Sequence, residues 1–181
     1  PYQVPSARLI KELDYEEAQE IASSGAKVLH PRCLPPLHIN NIALHIHSLE
    51  YPKLAGTIIT ADVQRNSAQV KAISSKSNIT LISMETVDMW HQIGFLANIF
   101  NCFKLHGISI DLVSTSESSI TVTLDTKTNT LDHKSFDSLL DELKTFCHVS
   151  VVDSCSTVSL VGKNIRSILH QLAPALELFE E

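Results

Sequence analysis

Three polar runs in this chain carry residue types that could hold a small charged molecule. The loop Met89–Gly94 leads into an apolar periodic segment, and a helix starting there would present unpaired N–H groups that favour a carboxylate. Gly94 at that junction lets a backbone approach a ligand without a Cβ in the way. Asp111, inside Ile108-Ser109-Ile110-Asp111, can accept hydrogen bonds from an ammonium group. Thr115, Ser116 and Glu117 add two hydroxyls and a carboxylate at the next turn. Taken alone, Asp111 is a solvated strand carboxylate and Glu117 an exposed turn residue; only their company argues for more. His45 and His47 share one face of a strand, a beginning for a metal site, but no third ligand stands at suitable spacing. No metal is expected.

The elements that must position these groups follow from periodicity. Phe95, Leu96, Ile99, Phe100 and Phe103 recur at helical spacing, and Gly107 closes that helix. Ile108, Ile110 and Leu112 alternate as a strand, then Ile120, Val122 and Leu124 do so again after a turn at 114–118. With a strand at Ile79–Ser83, a helix through Phe136, Leu139, Leu140, Leu143 and Phe146, and a strand at Val149–Val152, the middle of the chain reads as a βαββαβ ferredoxin-like sandwich. The fold class is α+β.

Ahead of it, Asp14 and Glu17 form an acidic capping box for a helix that Gly25 ends. A helical piece from Ala26 is expected to be interrupted by Pro31 and by Pro35-Pro36. Strands follow at Ile42–Ile46 and Gly56–Ile59. Residues 61–77 have linker composition with one short strand, and Val158–Val161, Gly162 and a helix Ile165–Leu176 open a third unit that weakly echoes the second. The expected organisation is 1–62, a linker 63–77, a domain 78–153 and the start of another at 154–181.

The chain has 181 residues, 44% of them hydrophobic and 19% charged, which suits a globular protein with a real core. A net charge of −6 and no Lys/Arg cluster argue against nucleic acid. No apolar run reaches the roughly 20 residues of a membrane span, and the start is no signal peptide. Four scattered cysteines without CxxC spacing read as reduced cytosolic thiols. The first residues read as mid-sequence text, so a fragment of a cytoplasmic protein is expected.

Gly25-Ala26-Lys27-Val28-Leu29-His30-Pro31, after a helix with Glu16, Glu17 and Ala18, resembles the closing segment of the aspartate kinase catalytic domain, with Gly56-Thr57 fitting its end. Val70-Lys71-Ala72-Ile73, Asn78-Ile79-Thr80, Gly94-Phe95-Leu96, Ile108-Ser109-Ile110-Asp111 and Thr115-Ser116-Glu117 resemble the first ACT domain that follows it. The likeness covers essentially the whole chain. It departs where the family commonly has Ile-Pro for Ile42-Ala43 and Pro-Ala for Pro36-Leu37, and in the histidines 45 and 47.

The resemblance implies a parent enzyme that transfers the γ-phosphoryl of ATP, with Mg2+, to the β-carboxylate of aspartate. It implies nucleotide contact at Lys27 and Val28, and no catalytic residue within this stretch. It further implies an amino-acid effector between two ACT units of a homodimer, contacting Met89, Gln92, Gly94, Phe95, Leu96, Ser109, Asp111, Thr115, Ser116 and Glu117. Family members with Asp in the I-S-x-D strand and T-S-E in the turn tend to respond to lysine, so lysine is the expected inhibitor. Alternatives are a stand-alone amino-acid-binding module, against which GAKVLHP argues, and an ACT-like dimerisation scaffold without ligand. A parent fused to homoserine dehydrogenase or a decarboxylase also fits.

Overall fold

Asp14 cannot continue a helix and cap it at once, so the chain turns there. Its carboxylate accepts from the Glu17 N–H at 2.8 Å while Glu17 accepts from the Asp14 N–H at 3.1 Å, the reciprocal pairing of a capping box. The computed structural model of the chain describes residues 4–26, 28–61, 63, 69–87, 92–126, 129 and 133–177. In order, these form β1 (Glu12–Leu13), α1 (Tyr15–Ser23), α2 (Leu34–Ile39), β2 (Leu44–Ile46), β3 (Thr57–Ile59), β4 (Gln69–Glu85), α3 (Phe95–Leu105), β5 (Leu112–Thr115), β6 (Ser119–Asp125), α4 (His133–Leu143), β7 (His148–Lys163) and α5 (Ala173–Glu177). Two compact units contain them: residues 1–75 with 158–181, and residues 76–157.

In the first unit a three-stranded sheet has the order β1-β3-β2, with β1 parallel and β2 antiparallel to β3. Leu13, Tyr15, Ala18, Leu34 and Ile59 make its core. Alpha-helical structure from Ala26 does not form. Val28 lies in a turn, and a single 3-10 turn covers Pro31–Cys33, where His30 Nδ1 accepts from the Arg32 N–H. Pro35 and Pro36 start α2 instead of interrupting it, because a first-turn N–H has no helical partner to lose. Asn41, at φ 51°, closes α2 with Ile42 N–H donated to Leu37 O and Asn41 N–H to His38 O. Two lysines from the long strands reach the α1 cap: Lys71 Nζ lies 2.7 Å from Glu17 Oε2, and Lys163 pairs with Asp14. The Asp14 carboxyl feels burial, which pushes it up. The Glu17 N–H and the Lys163 ammonium outweigh that and hold it below the ordinary aspartate value.

The second unit is the expected sandwich. Its sheet order is β5-β6-β4-β7, with β6 antiparallel to both neighbours. Ile120, Val122 and Leu124 alternate inward with no measurable exposure, meeting Ile82 and Met84 of β4, Phe95, Ile99, Cys102 and Phe103 of α3, and Leu139 and Leu143 of α4. Gly107, at φ 66°, closes α3: Ile108 N–H donates to Phe103 O and Gly107 N–H to Lys104 O. His106 Nε2 and Glu142 Oε2, 2.8 Å apart, tie α3 to α4.

Four further elements differ from expectation. Residues 69–77, expected as linker with one short strand, are the first half of β4. Likewise the strands around Val149–Val152 and Val158–Val161 are one strand, β7. The polar residues misled because they alternate on a ladder instead of marking a break. Contacts of Thr80 with Asp153 (2.7 Å), and of a Cβ placed on Gly162 with the Gln69–Lys71 backbone, make β4 and β7 antiparallel neighbours. Each bends at one left-handed residue, Asn78 (φ 61°) and Ser154 (φ 60°). The strand expected at Ile108–Leu112 is regular only from Leu112, because Ser109 donates its N–H to Asn129 Oδ1 and its C=O accepts from Asn129 Nδ2. The last helix is 3-10 over Ile165–Leu172 and α only in α5.

Candidate functional site

Helix α3 begins without a side-chain cap. Gly94 at φ 85° and ψ 3° is its N-cap, and glycine has no oxygen to offer the first turn. Phe95 N–H is taken by Gln92 O at 3.2 Å, and Gly94 O accepts from Asn98. The N–H groups of Leu96 and Ala97, second and third in the helix, have no partner within it and point outward from its start. A pocket of about 460 Å³ opens at this end, lined by Gln92, Gly94, Phe95, Leu96, Thr115, Ser116 and Glu117. These are seven of the ten residues expected to bind an effector.

One wall is the helix start, with Phe95 buried and Leu96 exposed. The other is the β5–β6 turn. Ser116 is committed to shaping that turn: its N–H donates to Ser119 O at 2.8 Å, and its Oγ accepts from Ser119 N–H at 3.1 Å while lying 2.7 Å from Ser119 Oγ. Thr115 and Glu117 are exposed and line the same space. The lining thus combines the helix start with residues that carry a hydroxyl and a carboxylate. That arrangement suits a zwitterion, with its carboxylate at the helix start and an ammonium toward Glu117.

Ser109 and Asp111 are not in this pocket. Both precede β5 at its opposite end, Asp111 roughly 13 Å and Ser109 roughly 20 Å of strand from Thr115. Asp111 N–H donates to Thr123 O at 2.9 Å, and its carboxylate is paired with Lys76 Nζ at 3.0 and 3.1 Å. Lys76 also lies 3.7 Å from Asp125 Oδ2. Met89 is outside the described residues. Two residues that sequence reasoning missed hold this end: Lys76, hidden in what reads as linker, and the buried Asn129, which clamps both backbone groups of Ser109. A cation three residues before a predicted strand was a signal for the first. The second, in the polar run TKTNT, gave none.

Of the two expected nucleotide contacts, Lys27 lies outside the described residues. Val28 is 72% exposed on the rim of an apolar pocket of about 430 Å³ shared with Arg8, Ile21, Ile46, Thr57 and Ile59. The Thr57 hydroxyl is already donated to Ile10 O at 2.6 Å. Among the described residues, Arg8 is the one cation lining this pocket. The His45 and His47 rings stack at 6.3 Å between centroids, and no group of three His, Cys, Asp or Glu among the described residues could hold a metal ion. The four cysteines are free, and burial pushes the Cys102 thiol up to about 11, so it is inert. No helix among the described residues is long and apolar enough to cross a membrane.

Residues 1–48 match the amino acid kinase family, and residues 82–130 match an ACT domain. The chain is 37% identical over 167 residues to the lysine-sensitive aspartokinase 3 of Escherichia coli (strain K12), covering 91% of this chain and 37% of that protein. It is 35% identical over 164 residues to the chloroplastic aspartokinase 3 of Arabidopsis thaliana, covering 89% and 29%. Among solved structures, E. coli aspartokinase III in complex with aspartate and ADP superposes with a TM-score of 0.81 at 34% identity, over 96% of this chain and 41% of that one. The same enzyme in complex with lysine and aspartate gives 0.74 at 35%, over 93% and 40%. The chain thus spans about a third of the length of these curated relatives.

Proposed function

We propose that this chain, an aspartokinase homologue along about nine-tenths of its length, is the regulatory part of an aspartate kinase and senses lysine. The parent would phosphorylate the β-carboxylate of aspartate with ATP, in the cytoplasm. The chemistry would be carried by residues and Mg2+ outside this stretch, with Lys27 and Val28 contributing contacts to the nucleotide. Residues 1–62 would close the catalytic domain, 78–153 form the first ACT domain and 154–181 begin the second.

The observation that carries the reading is the pocket at the uncapped start of α3, where seven expected effector residues converge. Lysine's carboxylate would take the Leu96 and Ala97 N–H groups, and Glu117 would face an ammonium. Asp111 of the same chain is farther from this pocket than a free lysine spans. Two copies meeting antiparallel along β5 would bring Asp111 of the second copy to the pocket of the first. That edge is free to pair, with Leu112 51% and Val113 49% exposed at the end of the sheet order. Such an effector site would exist only in the homodimer. Lysine binding would then bias the kinase between two states, a coupling of typically about 1–3 kcal/mol.

The exposed edge by itself also favours a second reading, a dimerisation scaffold that binds nothing. Isothermal titration calorimetry of the chain with lysine, against threonine and methionine, separates the two. Saturable heat with lysine alone, abolished by Asp111→Ala, is expected. No heat with any of the three, from a folded dimer, refutes the sensor and leaves the scaffold.

A further inference from the structure

We propose that Lys76 is an internal occupant of the effector site's carboxylate, Asp111, an ammonium that lysine must displace, and that it sets the concentration at which the site fills. The inference rests on reading Asp111 as an effector ligand. Three adjacent strands build the arrangement. Asp111 leads into β5, Asp125 ends β6 opposite Ile79, and Lys76 stands on β4 three residues before that pair. Lys76 Nζ lies 3.1 and 3.0 Å from the two Asp111 oxygens, so both acceptors on that carboxylate face one cation. The side chains are 19% and 30% exposed, which leaves the pair partly screened and exchangeable.

The head group of Lys76 is chemically the one that free lysine carries at its end. Binding is therefore an exchange of one primary ammonium for another on the same carboxylate. The displaced group has somewhere to go: Asp125 Oδ2 is 3.7 Å away, with its side chain 15% exposed, so Lys76 can lean toward it without losing a counter-ion. An effector without a side-chain ammonium gains nothing from the exchange. Lys76 thus raises the threshold for lysine and sharpens the distinction from neutral amino acids.

The test is calorimetry of lysine binding to the chain and to Lys76→Met, which keeps length and removes charge, with Lys76→Arg as the charge-retaining control. For a partly exposed pair, Lys76→Met is expected to bind lysine about two- to fivefold more tightly, while Lys76→Arg does not tighten. Independently of the variants, the Lys76 ammonium resonance in 15N NMR should move when lysine is added to the unaltered chain. Binding to Lys76→Met that is unchanged or weaker, or a Lys76 resonance unmoved in the lysine-saturated chain, overturns this proposal and leaves the sensor reading standing. Absence of lysine binding in both the chain and Lys76→Met overturns the sensor reading, and this proposal with it.

Discussion

Replacing Glu17 with alanine removes one buried group with two partners. The Glu17 side chain is 3% exposed. Its Oε2 accepts from the Asp14 N–H at 3.1 Å and from Lys71 Nζ at 2.7 Å. Losing the first contact strips half of the capping box, about 1 kcal/mol. Losing the second leaves Lys71, 13% exposed, with the Glu12 carbonyl at 3.4 Å and the more distant charge of Asp14 among the described residues. Removing one member of a buried pair typically costs about 3–5 kcal/mol. Because the Lys71 stem can flex its head group outward, the combined loss should fall near the lower end, about 3–4 kcal/mol. Urea unfolding followed by circular dichroism reads this as a lower midpoint for the first unit. Adding Lys71→Met to Glu17→Ala should restore part of the loss, since the stranded ammonium goes with it. A single-variant cost under about 1 kcal/mol, the range of an exposed pair, or a double variant that is additively worse, would refute the reasoning.

Gly94→Ala and Gly162→Ala make the same change for opposite reasons. A Cβ at Gly94 meets nothing within 4 Å, so the cost is the left-handed backbone alone, about 1–2 kcal/mol, with lysine affinity falling as the α3 start shifts. A Cβ at Gly162 would collide with the Gln69 carbonyl and lie 3.1 Å from Lys71 N, so β4 and β7 must part; thermal melts should show the larger loss there. Acid should weaken the α1 cap specifically. Asp14 is depressed in the folded state, so its contribution is complete above the unfolded aspartate value and is lost as pH falls through the folded one. Melting temperatures measured below about pH 4 should therefore drop less in Asp14→Asn than in the parent chain.

Much of this was legible in the residues. The alternation of Ile120, Val122 and Leu124, the Asp14–Glu17 box and the Gly107 closure are local rules, and each appears as read. The pocket's lining falls in two short runs, one opening α3 and one in the β5–β6 turn, each visible in the sequence. What stayed hidden depends on partners distant in sequence. Lys76 meets Asp111 across three strands, and Asn129 holds Ser109 from a loop 20 residues on. Polar strand residues at 69–77 resemble a linker until the neighbouring strand that pairs with them is known.

The two long strands give the chain an unusual grammar. The first unit is written in two pieces, 1–75 and 158–181, and the second is a clause inserted between them. Both ends of the insertion lie on hydrogen-bonded neighbours, β4 and β7, about 5 Å apart as adjacent strands are. An insertion whose ends are so close can be lifted out and replaced by any βαββαβ sandwich with the same outer strand pair, leaving the host's sequence unbroken elsewhere. On this architecture the inserted sandwich is an exchangeable cassette, and replacing it needs no change in the flanking unit.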